Sequence, residues 1–262
     1  MSKLIKSNNV WLLQASPTWT LRETLDFRDY NIGTLSSGAN TIGGKSWNWT
    51  PAGVAASATN NSNGLRVLAT GGGNFSYLGR NVESLFTDKT KPIRLVMSAQ
   101  NIDLKVTSSN VGILITSAGS ADGDRAPTII ARLNGRDSGN DARAQIQRTG
   151  GAVGSNGGGF SNENGPDLGS NPTSAVFEIY VWQTQAAIRI YTGTTTFPES
   201  QDPETVFSDQ TNYFQCTMAG FGAIPGASTD FYADIRIGML VGGGGSQDAD
   251  ADFLVYQVEE WG

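Results

Sequence analysis

The sequence predicts an all-β protein built as a two-sheet antiparallel sandwich. Three observations carry this. Apolar runs of four to eight residues alternate with turn-rich breaks, and no helical periodicity persists through any of them. Glycine is abundant, at 33 of 262 residues, while charged residues make up only 16%, a composition that favours short strands and many turns over long helices. The closing stretch, residues 248–261, reads as a strand with apolar positions on both faces: Phe253 and Val255 one way, Leu254, Tyr256 and Val258 the other. Such a strand has to lie inside a sheet that is covered on both sides.

The elements follow in order. Residues 1–21 read as an N-terminal arm, with Val10, Trp11, Leu12, Leu13 and Trp19 interrupted by Pro17. Its two readings are an edge strand packed on the domain and a segment that docks on a partner chain. From Arg22 the β texture begins, so residues 22–262 are assigned to one sandwich domain. Residues 24–27 form a short alternating strand, followed by glycine- and serine-rich chain to Gly44. Trp47 and Trp49 alternate with polar residues. Asn63-Gly64 signals a tight turn into residues 65–68.

Residues 93–97, 111–115 and 128–133 have the apolar density of buried strands, and residues 144–148 make another. Residues 150–172 read as a long loop rich in Gly, Asn and Ser. Residues 176–182 and 187–191 form a hairpin, residues 194–212 a surface excursion, and residues 231–241 a strong strand. Residues 81–87 can hold one helical turn.

Composition excludes several functions. A net charge of −6 with a pI near 4.7 argues against nucleic acid, which needs a basic stripe to neutralise phosphates. One cysteine, Cys216, cannot close an intrachain disulfide. No apolar run is long enough for a membrane span, and residues 1–9 lack the apolar core of a signal peptide. Synthesis in cytoplasm is therefore expected, wherever the protein is finally deployed.

Several stretches together resemble the concanavalin A-like lectin/glucanase sandwich, of which laminin-G-like domains are a branch. They are Leu25-Asp-Phe-Arg-Asp29, the Trp47/Trp49 segment followed by Asn63-Gly-Leu-Arg-Val67, the pair Phe177-Glu-Ile-Tyr-Val-Trp182 and Ile188-Arg-Ile-Tyr-Thr-Gly193, and Asp252-Phe-Leu-Val-Tyr-Gln-Val258. The resemblance covers roughly residues 22–262. It implies a jelly-roll sandwich with first and last strands adjacent, and an acid beginning the last strand, here Asp252, that often binds structural calcium. In style the chain also resembles bacteriophage virion modules such as tail fibres and capsid decorations.

Without histidine the chain lacks the usual base for a Ser or Cys nucleophile and the commonest metal ligand. Glycoside hydrolysis needs two carboxyl groups flanking the bond, but the Glu-x-Asp-x-x-Glu strand of glucanases with this fold is absent. Glu23 and Asp26 fall on opposite strand faces, as do Glu259 and Glu260, and Glu178 stands alone in its strand, where it reads as polar and outward-facing. Residues 39–46 match a relaxed phosphate-loop pattern that runs into no helix. Asp122-Gly-Asp124 reads as a turn.

Asp248, Asp250 and Asp252 could offer oxygens to calcium, but a solvated strand entry is the favoured reading. Trp47, Trp49, Tyr77 and Trp182 are candidates for stacking on sugar rings, with Trp47 and Trp49 expected in the core.

The resulting expectation is a non-enzymatic structural or adhesion protein of a bacteriophage virion, with no cofactor, no metal, no catalytic residue and no identified carbohydrate-binding residue. Its partners are expected to be other virion proteins and copies of itself, with a host surface glycan as a candidate ligand and with neither nucleic acid nor membrane insertion. The alternatives are a lectin module outside any virion and an orphan glycoside hydrolase.

Overall fold

The computed structural model describes residues 3–7, 10–14, 17–51, 56–70, 75–88, 90–104, 109–117, 128–135, 142–149, 161–167, 171–182, 185–217, 235–243 and 248–262. For 3–7, 10–14, 75, 117, 128, 142–149, 161–167 and 214–217 it describes the backbone alone. Asp122-Gly-Asp124 and the first part of the long glycine-rich stretch lie outside these residues.

Among the described residues the strands, numbered along the chain, fall into three sheets. The nine-stranded sheet holds β3 (Trp19–Asp26), β4 (Gly33–Thr34), β7 (Ser57–Asn61), β8 (Gly64–Ala69), β10 (Ile93–Leu104), β15 (Ser174–Trp182), β16 (Gln185–Thr192), β17 (Phe214–Thr217) and β19 (Ala249–Trp261). The eight-stranded sheet holds β5 (Gly38–Ile42), β6 (Lys45–Thr50), β9 (Phe75–Asn81), β11 (Asn110–Ser117), β12 (Thr128–Gly135), β13 (Ala142–Thr149), β14 (Ser161–Asp167) and β18 (Ile235–Gly242). β1 (Lys3–Ser7) and β2 (Val10–Gln14) pair only with each other among the described ladders.

The strand order is β17-β16-β15-β10-β19-β8-β7-β4 in the larger sheet, with β3 also beside β19. In the smaller it is β14-β13-β12-β11-β18-β9-β6-β5. Both sheets are antiparallel, and the molecule is a jelly-roll β-sandwich of the expected class. No helix among the described residues is long and apolar enough to cross a membrane.

The last strand occupies the middle of the larger sheet. On one side β19 pairs with β10 over nearly its whole length. On the other it pairs first with β8, through Phe253, and then with β3, from Val255 onward. At the change of partner the register slips: Met97 faces Tyr256 and Ala99 faces Phe253, so β19 carries one extra residue there. This bulge reverses the alternation. Ala249, Ala251 and Phe253 enter the core before it, and Tyr256 and Val258 after it.

The bulge corrects the expected parity, which set Phe253 and Tyr256 on opposite faces. It also explains how Asp250 and Asp252 share the number parity of Tyr256 without sharing its face. β10 makes the complementary slip at Asn101, which has φ +51°, a left-handed conformation that asparagine tolerates better than most residues. Core positions there change from Ile93, Leu95, Met97 and Ala99 to Ile102 and Leu104.

Two further differences have local causes. Within the expected long loop, residues 161–167 form an outer strand, β14, against β13. Its sequence, Ser-Asn-Glu-Asn-Gly-Pro-Asp, has little β propensity, so pairing rather than composition defines it. The excursion after β16 contains a short helix, α1 (Pro203–Ser208), started by Asp202, whose carboxylate accepts from the Glu204 amide at 2.8 Å, and by Pro203 at its first position. The helical turn expected within 81–87 is a 3-10 turn at Glu83–Leu85. The Asn63-Gly64 turn closes the β7–β8 hairpin, with Gly64 at φ +116° and the Phe253 carbonyl oxygen 2.6 Å from where a Cβ would stand.

Candidate functional site

Side chains of the larger sheet that do not enter the core lie on its outer face. Along β19 the exposure alternates cleanly from the bulge onward. Val255, Gln257, Glu259 and Trp261 are half-buried, while Tyr256, Val258 and Glu260 between them are buried. At about 3.3 Å per residue, the row from Asp252 to Trp261 runs about 30 Å along the sheet. It has a polar end, a charged middle and an aromatic end.

At the polar end, β8 and β10 flank β19. Arg66 Nη2 donates to Asp250 Oδ2 at 2.9 Å, and its Nη1 lies 3.9 Å from Asp252 Oδ1. Asn101 Nδ2 donates to Asp252 Oδ2 at 2.8 Å. The guanidinium is about half-exposed, while Asp250 and Asp252 are buried beneath it. The expected solvated strand entry is thus corrected: both acids are inside the strand and paired with an arginine supplied by β8. Asp248 is half-buried just before the strand. Among the described residues no group of three His, Cys, Asp or Glu is disposed to hold a metal.

In the middle, Arg94 of β10 stands between Glu178 of β15 and Glu259 of β19. Arg94 Nε and Nη2 each lie 2.7 Å from Glu178 Oε1, and Nη1 pairs with Glu259 Oε2. Tyr180 donates to Glu178 Oε1 at 2.8 Å, and Tyr191 of β16 to Oε2 at 3.2 Å. Glu178 is 0% exposed and Arg94 2%, which corrects the expectation of a solvent-facing glutamate. Glu178 does point away from the core, but residues 193–213 roof it.

That strap is pinned at several points. Arg94 Nη2 donates to the Pro198 carbonyl at 3.1 Å, the Gln201 amide to the Tyr180 hydroxyl at 3.3 Å, and the Trp19 indole N–H to the Gln201 carbonyl at 2.6 Å. Val206 of α1 and Tyr213 pack on Tyr180 and Ala187.

The electrostatics of this cluster are those of a locked network. Burial works against the Arg94 charge, but Glu178 and Glu259 outweigh it and hold its pKa above the ordinary value. Burial first, and then the Glu178 charge, push the Tyr180 and Tyr191 phenols up. Both phenols therefore keep their protons at neutral pH and serve Glu178 as donors. Arg189 lies over the ring of Tyr191 at 4.6 Å and over that of Tyr213 at 5.5 Å. One guanidinium thus separates two carboxylates, the first under the strap and the second at the open row.

At the aromatic end, Trp261 pairs in register with Trp19 of β3, and Glu259 with Leu21. The two indoles meet edge to face at 5.3 Å, and Trp19 meets Tyr180 likewise at 5.6 Å.

The aromatic residues that the sequence offers for sugar stacking lie elsewhere. Trp47 and Trp49 are core residues, at 1% and 2% exposure, as expected. Tyr77 is buried on the other sheet with Leu114, Ile130 and Leu240. Trp182 is half-buried against Phe207 of α1 at 6.0 Å. The separated acid pairs are confirmed: Glu23 turns inward to Arg80, Lys45 and Tyr256, whereas Asp26 pairs with Arg28. Residues 39–46 form the β5–β6 hairpin, with no helix after it. Reading the sequence missed Arg94, Tyr191, Gln257 and the Trp19–Trp261 pair. The alternation of residues 255–261 was the available signal for the last two.

No family model matches the chain, and no curated protein matches it by sequence. Solved structures do share its fold. The catalytic domain of an endo-1,3-beta-glucanase (laminarinase) from Thermotoga petrophila RKU-1 is similar with a TM-score of 0.52 at 12% identity, over 94% of this chain and 99% of that one. The laminarinase from Rhodothermus marinus gives 0.52 at 13% identity, over 94% and 99%. The CBM2 module of the Lactobacillus casei BL23 phage J-1 evolved Dit covers 94% of this chain and 98% of its own at 11% identity, with a TM-score of 0.43, an overlap too low to bear on function. The fold is the concanavalin-like sandwich. The expectation of a non-enzyme is corrected by these likenesses: the fold is shared with two laminarinases, in one case with the catalytic domain.

Proposed function

We propose that this chain engages a polysaccharide along the outer row of β19, in the setting its composition resembles, the surface of a phage virion. The observation that carries the reading is the alternation of Val255, Gln257, Glu259 and Trp261, half-buried on one face of a strand whose other face is buried. Around this row stand Arg66, Asn101 and Asp252, planar amide, carboxylate and guanidinium groups of the kind that hold neighbouring hydroxyls with paired hydrogen bonds. An extended ligand fits a strand-long row better than a closed pocket does. The strap over Glu178 reaches from Tyr180 to Trp19 at the aromatic end of the row, through Gln201. The likeness to laminarinases supports the reading as a shared frame.

The test is co-sedimentation of the purified chain with a panel of insoluble polysaccharides, with reducing ends measured in the same tubes. Retention on at least one polysaccharide, weakened severalfold by Gln257→Ala, is the expected outcome. Release of reducing ends by the wild-type chain would extend the reading from binding to cleavage. A panel that retains none of the protein would sink it.

A further inference from the structure

We infer that Trp261, Leu21 and Glu259 form a stacking subsite for one neutral pyranose ring, at the end of the row farthest from Arg66. This rests on the reading of the row as a glycan track and adds which residues bind most strongly and which sugar class they admit. Three observations carry it.

The first is exposed apolar surface. Leu21 is 49% exposed, one of two large hydrophobic side chains so exposed among the described residues, and it sits on β3 directly opposite Glu259 and two residues from Trp19. Trp261 is half-buried beside it.

The second is rigidity. Trp19, against which Trp261 stands edge-on, is fixed by its N–H bond to Gln201 and by its contact with Tyr180. The backbone of Trp261 donates to the Pro92 carbonyl at 2.9 Å, and Gly262 and Thr18 exchange amide–carbonyl bonds at 3.0 and 3.2 Å. An aromatic ring held this way loses little freedom when a ligand settles on it.

The third is an adjacent acceptor of fixed orientation. Arg94 holds Oε2 of Glu259, whose side chain keeps 13% of its surface exposed on the strand position opposite Leu21.

A pyranose has an apolar C–H face and a rim of hydroxyls, so it matches an apolar shelf with a carboxylate oxygen at its edge. A nucleotide would also stack, but its phosphate meets the Glu259 carboxylate and a chain of net charge −6. A uronate ring meets the same repulsion. The chemistry selects a neutral sugar.

The experiment is calorimetric titration of the full chain with β-1,3- and β-1,4-linked glucose hexamers. Stacking of this kind is worth about three- to tenfold in affinity. Trp261→Ala should weaken binding by about that factor, Trp261→Phe by less, and Trp182→Ala, whose ring packs under α1, not at all. Leu21→Ser changes an exposed side chain that the fold does not need. It should weaken binding about twofold to threefold, which covers the case in which Trp261→Ala unfolds. Wild-type binding left unchanged in both Trp261→Ala and Leu21→Ser overturns the subsite while the glycan track stands. A wild-type chain that binds neither hexamer but is retained by another polysaccharide overturns the subsite as a glucose site. Silence of both hexamers and of the polysaccharide panel overturns the track as well.

Discussion

Replacing Arg94 with methionine should be among the most damaging single changes available on the outer face of the larger sheet. The substitution keeps an unbranched side chain of similar length and removes a guanidinium that is 2% exposed. It leaves Glu178, at 0% exposure, without its cation, frees Glu259 on the other side, and cuts the bond to Pro198 that pins the strap. Removing one partner of a buried pair costs about 3–5 kcal/mol, because an uncompensated charge stays behind. Here the lower end applies, since the Tyr180 and Tyr191 hydroxyls still donate to Glu178.

In a chain of this size about 3 kcal/mol corresponds to a fall in Tm of roughly 6–12 °C. Thermal and urea unfolding of wild type, Arg94→Met, Glu178→Gln and the double variant form a cycle. The double variant should be less damaged than the sum of the singles by about 2 kcal/mol, because Glu178→Gln discharges the stranded carboxylate. A cost below about 1 kcal/mol for Arg94→Met, the level of a solvated surface pair, would refute the reasoning. So would strict additivity.

Glu260 gives a test by pH. Burial pushes its carboxyl up, but the Asp88 amide, Thr87 and Arg22 outweigh burial and hold it below its ordinary 4.5. Its contribution is therefore complete above that pH and is lost as pH falls through the folded-state value. Glu260→Gln should cost about 1.5–3 kcal/mol at neutral pH, a gap from wild type that narrows as urea-unfolding titrations descend below pH 4.5; a gap constant down to pH 3 would contradict the assignment. Gly112→Ala sets a methyl 2.3 Å from the Ala131 carbonyl oxygen and 2.7 Å from the Arg132 Cβ. Because the obstacle includes backbone, a loss of about 2 kcal/mol or more is expected in the same assay, and a neutral result would mean that β11 and β12 are spaced more widely.

The layer architecture was legible from the chain because strand periodicity and glycine turns are local signals. The apolar density of residues 93–97, 111–115 and 176–182 marked central strands, and Asn63-Gly64 marked its hairpin. The bulge at Leu254–Val255 was not legible. It is fixed by the change of partner from β8 to β3, a long-range event that leaves no local signature, and through it the acids of residues 250 and 252 moved from an expected rim to paired positions inside the sheet. Glu178 was misread for a related reason. Its strand position shows that it leaves the core, but the strap that buries it comes from residues 193–213, whose prolines and acids read as surface. The site residues followed the same rule: Trp47 and Trp49 are prominent in sequence and structural in fact, while Trp19 and Trp261 are 242 positions apart and meet only because β3 pairs with β19.

The central claim is that the outer row of β19 is where this protein meets a saccharide. A crystal structure of the chain with a bound neutral oligosaccharide tests it most directly. The sugar rings should lie along Val255, Gln257, Glu259 and Trp261, with one ring over Trp261 and Leu21. Rings seated instead on the outer face of the eight-stranded sheet, over Tyr77 and Leu240, would contradict it.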